Sequence, residues 1–213
     1  MQKKALFPKL LYLTDDQDPR THEEQAVSCF EAGIDWVQLR VKNDSGDEFL
    51  RSARFISTTA KEMNKTLTIN DNLKICRDVS ANGVHLGQED EQPQVAREYL
   101  GSTFHIGGTA HSKGEIDDLI ASKAVDYIGI GPFRLTSTKP SLASPLGLQG
   151  MIELVRYAQE KEEGIHIVAI GGLVPEDLKT LFSIGVGTIA AGGSIRKEES
   201  IQVGVDKFLD KLE

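Results

Sequence analysis

The chain has 213 residues, of which 39% are hydrophobic and 26% are charged, as is typical of a globular protein with a sizeable core. No Pro-rich or Ser-rich linker divides it, so we expect one domain over residues 1–213. The formal net charge of -8 and the pI near 5.2 disfavour a general nucleic-acid or membrane-surface role. Any anionic ligand must therefore be held by a local cluster of basic residues.

The N-terminal stretch resembles the start of a signal peptide only superficially. Its apolar run is broken by Pro8 and Lys9, stops at Asp15 and has no small-residue cleavage site, so we interpret it as a first strand. No segment approaches the roughly 18 uninterrupted apolar residues of a membrane span. We expect Cys29 and Cys76 to be buried free thiols, as in the reducing cytoplasm. The expected location is therefore cytoplasmic.

Short β-type runs alternate with helical periodicity along the whole chain. The predicted strands are residues 10–13, 36–40, 67–70, 84–86, 105–109, 127–130, 165–170 and 188–191. A helix is predicted after each strand, and the first of them opens with a Thr-x-x-Glu capping box, Thr21 with Glu24. Eight such units favour a closed (β/α)8 TIM barrel of one domain, with an open doubly wound sheet as the alternative.

Two neighbouring predicted strands are each followed by a carboxylate, Asp71 and Asp90. Parallel neighbours lie about 5 Å apart and end at the same edge, so the two acids can share one hard cation. Mg²⁺ typically takes one or two carboxylates plus ligand phosphates, and zinc is disfavoured because no Cys/His cluster has ligand spacing. Asp71 has a second interpretation as a helix cap, which leaves Asp90 unexplained. We interpret His85, inside its strand, as a packing histidine.

The end of the second strand carries three long polar residues at alternate positions, Gln38, Arg40 and Lys42. Strand alternation sends them to one side, towards the mouth of the predicted barrel. Desolvated cations need partners, and a diphosphate would satisfy Arg40 as a planar fork and Lys42 as a point charge. The alternative is a solvated strand end with unrelated charges.

Three later loops add groups that suit phosphate. The loop after the sixth strand offers hydroxyls at Thr136 and Thr138 and a cation at Lys139. Gly171-Gly172 follows the seventh strand and Gly192-Gly193-Ser194 follows the eighth. Barrels often bind a phosphate between these last two loops through backbone N–H groups.

The ordered motifs QLRVK, IND, GVHLGQED, IGIGP with TSTK, and AIGG resemble the thiamine phosphate synthase family, which shares its barrel with a related thiazole tautomerase. The resemblance covers about residues 11–195. It implies a transferase that joins 4-amino-5-hydroxymethyl-2-methylpyrimidine diphosphate to a thiazole phosphate, giving thiamine phosphate and diphosphate. In that family diphosphate leaves first, and the thiazole nitrogen captures the pyrimidine-methyl cation.

The resemblance also implies roles for individual residues. The pyrimidine diphosphate would be bound by Gln38, Arg40, Lys42, Asn70, Thr109 and Lys139. The thiazole phosphate would be bound by Thr136, Thr138, Gly171, Gly172, Gly192 and Gly193. Asp71 and Asp90 would hold the cofactor Mg²⁺, and the catalytic set would be Arg40, Lys42, Lys139 and Thr109.

Two positions depart from the family pattern. Thr109 stands where the family has a serine, and Gly192-Gly193 stands where it tends to have Val-Ser. Arg134 adds a charge to which the sequence assigns no role.

Two other functions stay open at this stage. One is a thiazole tautomerase that uses His111 as its acid and base. The other is a non-catalytic barrel that binds phosphorylated metabolites. In every case we expect small-molecule partners, with no nucleic acid and no membrane, and a homodimer is one option for the oligomeric state.

Overall fold

Eight short parallel strands close into a barrel in sequence order. The computed structural model describes residues 7–42, 46–135 and 144–212. The strands are β1 Leu10–Leu13, β2 Trp36–Leu39, β3 Thr66–Asn70, β4 Gly83–Leu86, β5 His105–Ala110, β6 Tyr127–Ile130, β7 His166–Ile170 and β8 Thr188–Ala191. Each pairs in parallel with its neighbours in the chain, and β8 pairs with β1 to close the barrel. The predicted (β/α)8 barrel is confirmed, and the open doubly wound sheet is wrong.

Helices follow the strands and cover the outside of the barrel. They are α1 His22–Glu31, α2 Asp47–Glu62, α3 Leu73–Asp78, α4 Pro93–Leu100, α5 Lys113–Ser122, α6 Gly147–Lys161, α7 Leu178–Ser183, α8 Gly193–Arg196 and α9 Ile201–Leu209. The predicted capping box is present at α1, where Thr21 and Glu24 exchange hydrogen bonds. A short 3-10 turn, Pro175–Asp177, precedes α7. The four-residue helix α8 was not predicted.

The strands alternate between an outer and an inner layer of the core. On β2, Val37 and Leu39 pack among the helices, whereas Trp36 belongs to a separate inner cluster. Gln38 shares the inward face with Trp36 and is 2% exposed. Cys29 and Cys76 are buried free thiols, as predicted. Among the described residues, no helix is both long and apolar enough to cross a bilayer.

Phe7 fills the amino-terminal end of the barrel interior. Its ring lies 5.1 Å from that of Trp36, 5.3 Å from Tyr127 and 4.7 Å from His166. These three residues begin β2, β6 and β7, so the aromatic contacts close that end. Access to the barrel interior is therefore from the carboxyl-terminal ends of the strands.

We expect Phe7→Ala to lower the free energy of unfolding by about 3 kcal/mol, because it empties a packed aromatic site. Denaturant unfolding followed by circular dichroism measures the change. The matched control is Phe55→Ala, since the Phe55 side chain is 52% exposed and should change stability by less than about 0.5 kcal/mol. Equal losses in the two variants would contradict the assigned role of Phe7.

Candidate active site at the carboxyl-terminal end of the barrel

Asp71 and Asp90 lie side by side at the rim of the barrel. The N–H of Asp71 donates to the carbonyl of His85 at 2.8 Å, which ties the loop after β3 to β4. Asp90 accepts a hydrogen bond from the Gly87 N–H at 2.7 Å. Burial raises the pKa of Asp90, and a side-chain hydrogen bond with Asp71 together with its negative charge raises this pKa further. The two carboxylates thus share one edge, which is the geometry that the strand order predicts.

Asp71 does not cap the helix that follows it. The Asn72 side chain accepts the hydrogen bond from the Ile75 N–H, at 2.9 Å, and so takes the cap position of α3. Asp71 itself has a φ of 64°, a left-handed conformation that is uncommon outside glycine. The helix-cap interpretation of Asp71 is therefore wrong, and its carboxylate faces other groups at the rim.

Lys42 is one of those groups. Its ammonium contacts Asp71 Oδ2, so the loop after β2 reaches the carboxylate after β3. The Lys42 backbone N–H is held by Asp16 Oδ2 at 2.9 Å, and the Arg40 N–H by Thr14 Oγ1 at 3.0 Å. The loop after β1 therefore holds the backbone of Arg40 and Lys42, the two residues at this strand end that are predicted to bind phosphate.

The cations and acids share this rim with two buried polar residues, Gln38 and Asn70, which are 2% and 7% exposed. Gln38 and Thr68 are register partners on β2 and β3, and Asn70 is the last residue of β3. The structure thus brings Gln38, Asn70, Asp71 and Lys42 to one side of the barrel mouth. Their roles in binding remain predictions.

A hydrogen-bonded chain links the three neighbouring strands β4, β5 and β6 on the inner side of the barrel, below the mouth. The Tyr127 hydroxyl lies 3.2 Å from His85 Nδ1, and His85 Nε2 lies 2.8 Å from Thr109 Oγ1. Burial strongly raises the pKa of Tyr127, so its phenol stays protonated. Both ring nitrogens of His85 have partners, which fits the packing interpretation of this histidine. Thr109 is buried, and its carbonyl is contacted by the side-chain amide of Gln88.

His111 follows β5 and lies against the start of the loop after β6. Its Nδ1 contacts the carbonyl of Gly131, and because a carbonyl only accepts, this nitrogen carries the proton. The Gly131-Pro132 peptide is cis. His111 is thus at the same end of the barrel as the acids, but it is engaged with backbone.

The Gly171-Gly172 turn after β7 packs tightly against the loop after β6. Both glycines have positive φ, 104° and 64°. A Cβ on Gly171 would lie 2.6 Å from the Pro132 Cα, and one on Gly172 would lie 2.9 Å from the Arg134 Cβ. The turn therefore requires glycine for its backbone conformation and for the close approach of the two loops.

The loop after β8 is anchored to β1 by Arg196. The guanidinium donates to the Leu13 carbonyl at 2.8 Å and to Asp15 Oδ2 at 2.6 Å. A Cβ on Gly192 would meet Arg196 Nη1 at 2.8 Å, so the packing of this arginine accounts for the glycine. Sequence reasoning missed Arg196 and Asp15, because nothing local in the sequence marks a contact between residues so far apart.

Three predicted site residues, Thr136, Thr138 and Lys139, lie outside the described residues. Across the described ranges, no group of three or more His, Cys, Asp or Glu side chains comes together as a metal cluster. Two acids alone suit an ion that completes its shell with water and phosphate oxygens, as Mg²⁺ does.

A family model described as thiamine monophosphate synthase matches residues 10–195. The chain belongs to the thiamine monophosphate synthase family. Among curated relatives, the thiamine-phosphate synthase of Bacteroides thetaiotaomicron is 34% identical over 94% of this chain and 96% of its own length. The thiamine-phosphate synthase of Phocaeicola vulgatus is 37% identical over 88% of this chain and 89% of its own length. The family resemblance drawn from the motifs is confirmed.

A solved structure of thiamine phosphate pyrophosphorylase from Pyrococcus furiosus has the same fold. It superposes with a TM-score of 0.83 at 24% identity and covers 96% of this chain and 95% of that one. At this level of identity the likeness supports the barrel alone.

We expect Gly171→Ala to destabilise the protein by about 2 kcal/mol, because the new Cβ would clash with Pro132 and the residue would have to keep a left-handed φ. Thermal or denaturant unfolding measures the loss. The control is Gly114→Ala in α5, where no atom lies within 4 Å of a Cβ, so stability should stay level or rise by less than about 1 kcal/mol. An unchanged stability for Gly171→Ala would refute the tight packing of the turn.

Proposed function

We propose that this protein couples 4-amino-5-hydroxymethyl-2-methylpyrimidine diphosphate to a thiazole phosphate, giving thiamine phosphate and diphosphate. The bond between the pyrimidine methylene carbon and the diphosphate oxygen breaks, and a bond from that carbon to the thiazole nitrogen forms. The observation that carries the proposal is the meeting of Asp71, Asp90 and Lys42 at one rim, in a chain of this family. The names of the curated relatives support the same reaction.

A divalent cation fits the acid pair. The two carboxylates lie within side-chain hydrogen-bond reach of each other, so both can contact one ion, and the donor set is made of oxygens. Asp71 and Asp90 would hold Mg²⁺, with diphosphate oxygens and water completing its shell. When bound, the ion supplies positive charge that stabilises the departing diphosphate.

The basic residues of the loop after β2 would bind the diphosphate from the other side. Arg40 offers a planar fork of donors, and Lys42 offers a point charge that already neutralises Asp71. Lys139 would add a third cation. Because charge accumulates on the diphosphate as the carbon–oxygen bond breaks, preorganised cations lower the barrier without a nucleophile or a general base.

The buried polar side chains would hold the pyrimidine ring. Gln38 and Asn70 are the inward groups nearest the cations along β2 and β3. Thr109 Oγ1, oriented by His85, supplies a hydroxyl from β5, which only β4 separates from β3. A fixed ring places its methylene carbon for attack, which is the main benefit of binding two substrates in one site.

The thiazole phosphate would bind at the last loops of the barrel. The N–H groups of the Gly171-Gly172 turn and of Gly192 and Gly193 are suited to phosphate oxygens, and Thr136 and Thr138 would add hydroxyl donors. A phosphate held by backbone N–H groups tolerates glycine at position 193, where the family tends to have a serine.

Incubation of the purified protein with both substrates, with and without Mg²⁺, tests the proposal. We expect thiamine phosphate and diphosphate to appear only when the metal is present. Isomerised thiazole carboxylate phosphate without coupling would instead support the tautomerase alternative with His111. Binding of the phosphorylated compounds with no product of either kind would support a non-catalytic barrel.

Two variants test the acid pair within the same assay. Asp71→Asn and Asp90→Asn should each lower kcat/KM by about 100-fold or more, because each removes one predicted metal ligand while keeping the side-chain size. Asp35→Asn is the control, since this exposed acid pairs with Lys65 away from the rim and should keep the wild-type rate. Wild-type rates in both rim variants would remove the metal assignment.

The cytoplasmic location remains a prediction. Two buried free thiols, Cys29 and Cys76, support it, because such thiols are usual in reducing compartments.

A further inference from the structure

Arg134, to which the sequence assigns no role, joins the loop after β6 to the loop after β7. Its backbone N–H donates to the Gly171 carbonyl at 2.9 Å. Its guanidinium donates to the Gly172 carbonyl at 3.0 Å and to both carboxylate oxygens of Asp177, at 2.5 and 2.7 Å. One residue therefore holds two successive carbonyls of the turn and an acid beyond it. We call Arg134, Asp177 and these two carbonyls the Arg134 clasp.

Asp177 is a fixed anchor for the guanidinium. Its side chain is 10% exposed, whereas that of Arg134 is 47% exposed. Burial by itself raises the pKa of Asp177, but the hydrogen bonds from Arg134 and from the Val174 N–H bring the pKa below its ordinary value. The carboxylate is thus ionised at neutral pH, and its two-point contact with Arg134 sets the plane of the guanidinium.

Holding these carbonyls has a direct consequence for the turn's N–H groups. A trans peptide unit is planar, so its N–H points away from its C=O. The Gly171 carbonyl shares a peptide unit with the Gly172 N–H, and the Gly172 carbonyl shares one with the Leu173 N–H. The Arg134 backbone N–H thus sets the direction of the Gly172 N–H, and the guanidinium sets the direction of the Leu173 N–H.

The turn needs such a restraint because of its composition. Two successive glycines with positive φ have little conformational preference of their own, so the contacts of the turn decide its conformation. Backbone N–H groups bind phosphate tightly only when they are already aimed at it, since ordering them on binding costs free energy. Arg134 removes that freedom in advance.

We propose that Arg134, anchored by Asp177, is a positioning residue whose guanidinium aims the Leu173 N–H at the phosphate of the second substrate, beside the Gly172 N–H that its backbone orients. The inference rests on the proposed function, in which this turn binds the thiazole phosphate. Arg134 does not itself touch the reacting atoms. Its effect is confined to the affinity for one of the two substrates, which separates positioning from a general structural role.

The test is steady-state kinetics of Arg134→Gln with each substrate varied in turn at saturating Mg²⁺. We expect KM for the thiazole phosphate to rise about tenfold, as when a supporting residue behind a binding group is removed. KM for the pyrimidine diphosphate and kcat should change less than twofold. Arg134→Lys should recover little, because an ammonium cannot bind Asp177 at two points and the Gly172 carbonyl together.

Arg97→Gln is the matched control. Arg97 likewise binds an acid, Asp126, at 2.7 Å, together with the carbonyls of Gly101 and Phe104. Asp126 immediately precedes β6, so this pair lies at the amino-terminal end of the barrel. Both KM values should stay at the wild-type level in Arg97→Gln, even if its melting temperature falls.

Each outcome decides a different claim. If the wild type couples the substrates but KM for the thiazole phosphate is unchanged in Arg134→Gln, the positioning role of Arg134 is refuted and the proposed function stands. An equal rise in both KM values would refute the positioning role as well. Absence of coupling in the wild type would refute the proposed function and the inference that rests on it. If Arg134→Gln does not fold, Asp177→Asn replaces it, because the asparagine oxygen can still accept from the Val174 N–H, and the same selective rise is expected.

Discussion

Parallel pairing of β3 with β4 is the constraint on which the site depends. In this register Ile69 lies opposite Val84 and Asn70 opposite His85, so β4 ends only one residue beyond the end of β3. The residues that follow are then delivered to one edge, and the Asp71 N–H continues the pairing by bonding to the His85 carbonyl. Two acids that are far apart in sequence are thereby forced together, at a cost in repulsion that a cation relieves.

Closure of the barrel brings other loops around the edge that carries the two acids. Because β8 returns to β1, the loops after all the strands meet around one opening, and the aromatic cluster around Phe7 fills the opposite end. A single mouth is therefore surrounded by groups from several loops. The loop after β2 contributes cations, the loops after β3 and β4 contribute acids, and the loops after β7 and β8 contribute glycine turns. A reaction that joins two phosphorylated substrates needs this convergence more than it needs any one reactive side chain.

The sequence predicts what depends on local pattern. Hydrophobic alternation locates every strand to within one residue at each end, and the order of parallel strands is enough to bring Asp71 beside Asp90. The sequence offers Asp71 as a cap of α3, whereas the structure has Asn72 there; both residue types cap helices well, so residue type alone does not identify the cap. It also misses the contacts of Arg134 with Asp177 and of Arg196 with Asp15. The first pair is separated by 43 positions in the sequence and the second by 181, and both contacts depend on how the loops fold over the rim.

The shared cation can be tested apart from turnover by titrating inorganic diphosphate into the protein in a calorimeter, with and without Mg²⁺. If Asp71 and Asp90 hold the ion against the diphosphate, Mg²⁺ should strengthen diphosphate binding by about tenfold or more in the wild type and by less than twofold in Asp90→Asn. An equal gain in both proteins, or no gain in the wild type, would contradict a metal site at the acid pair.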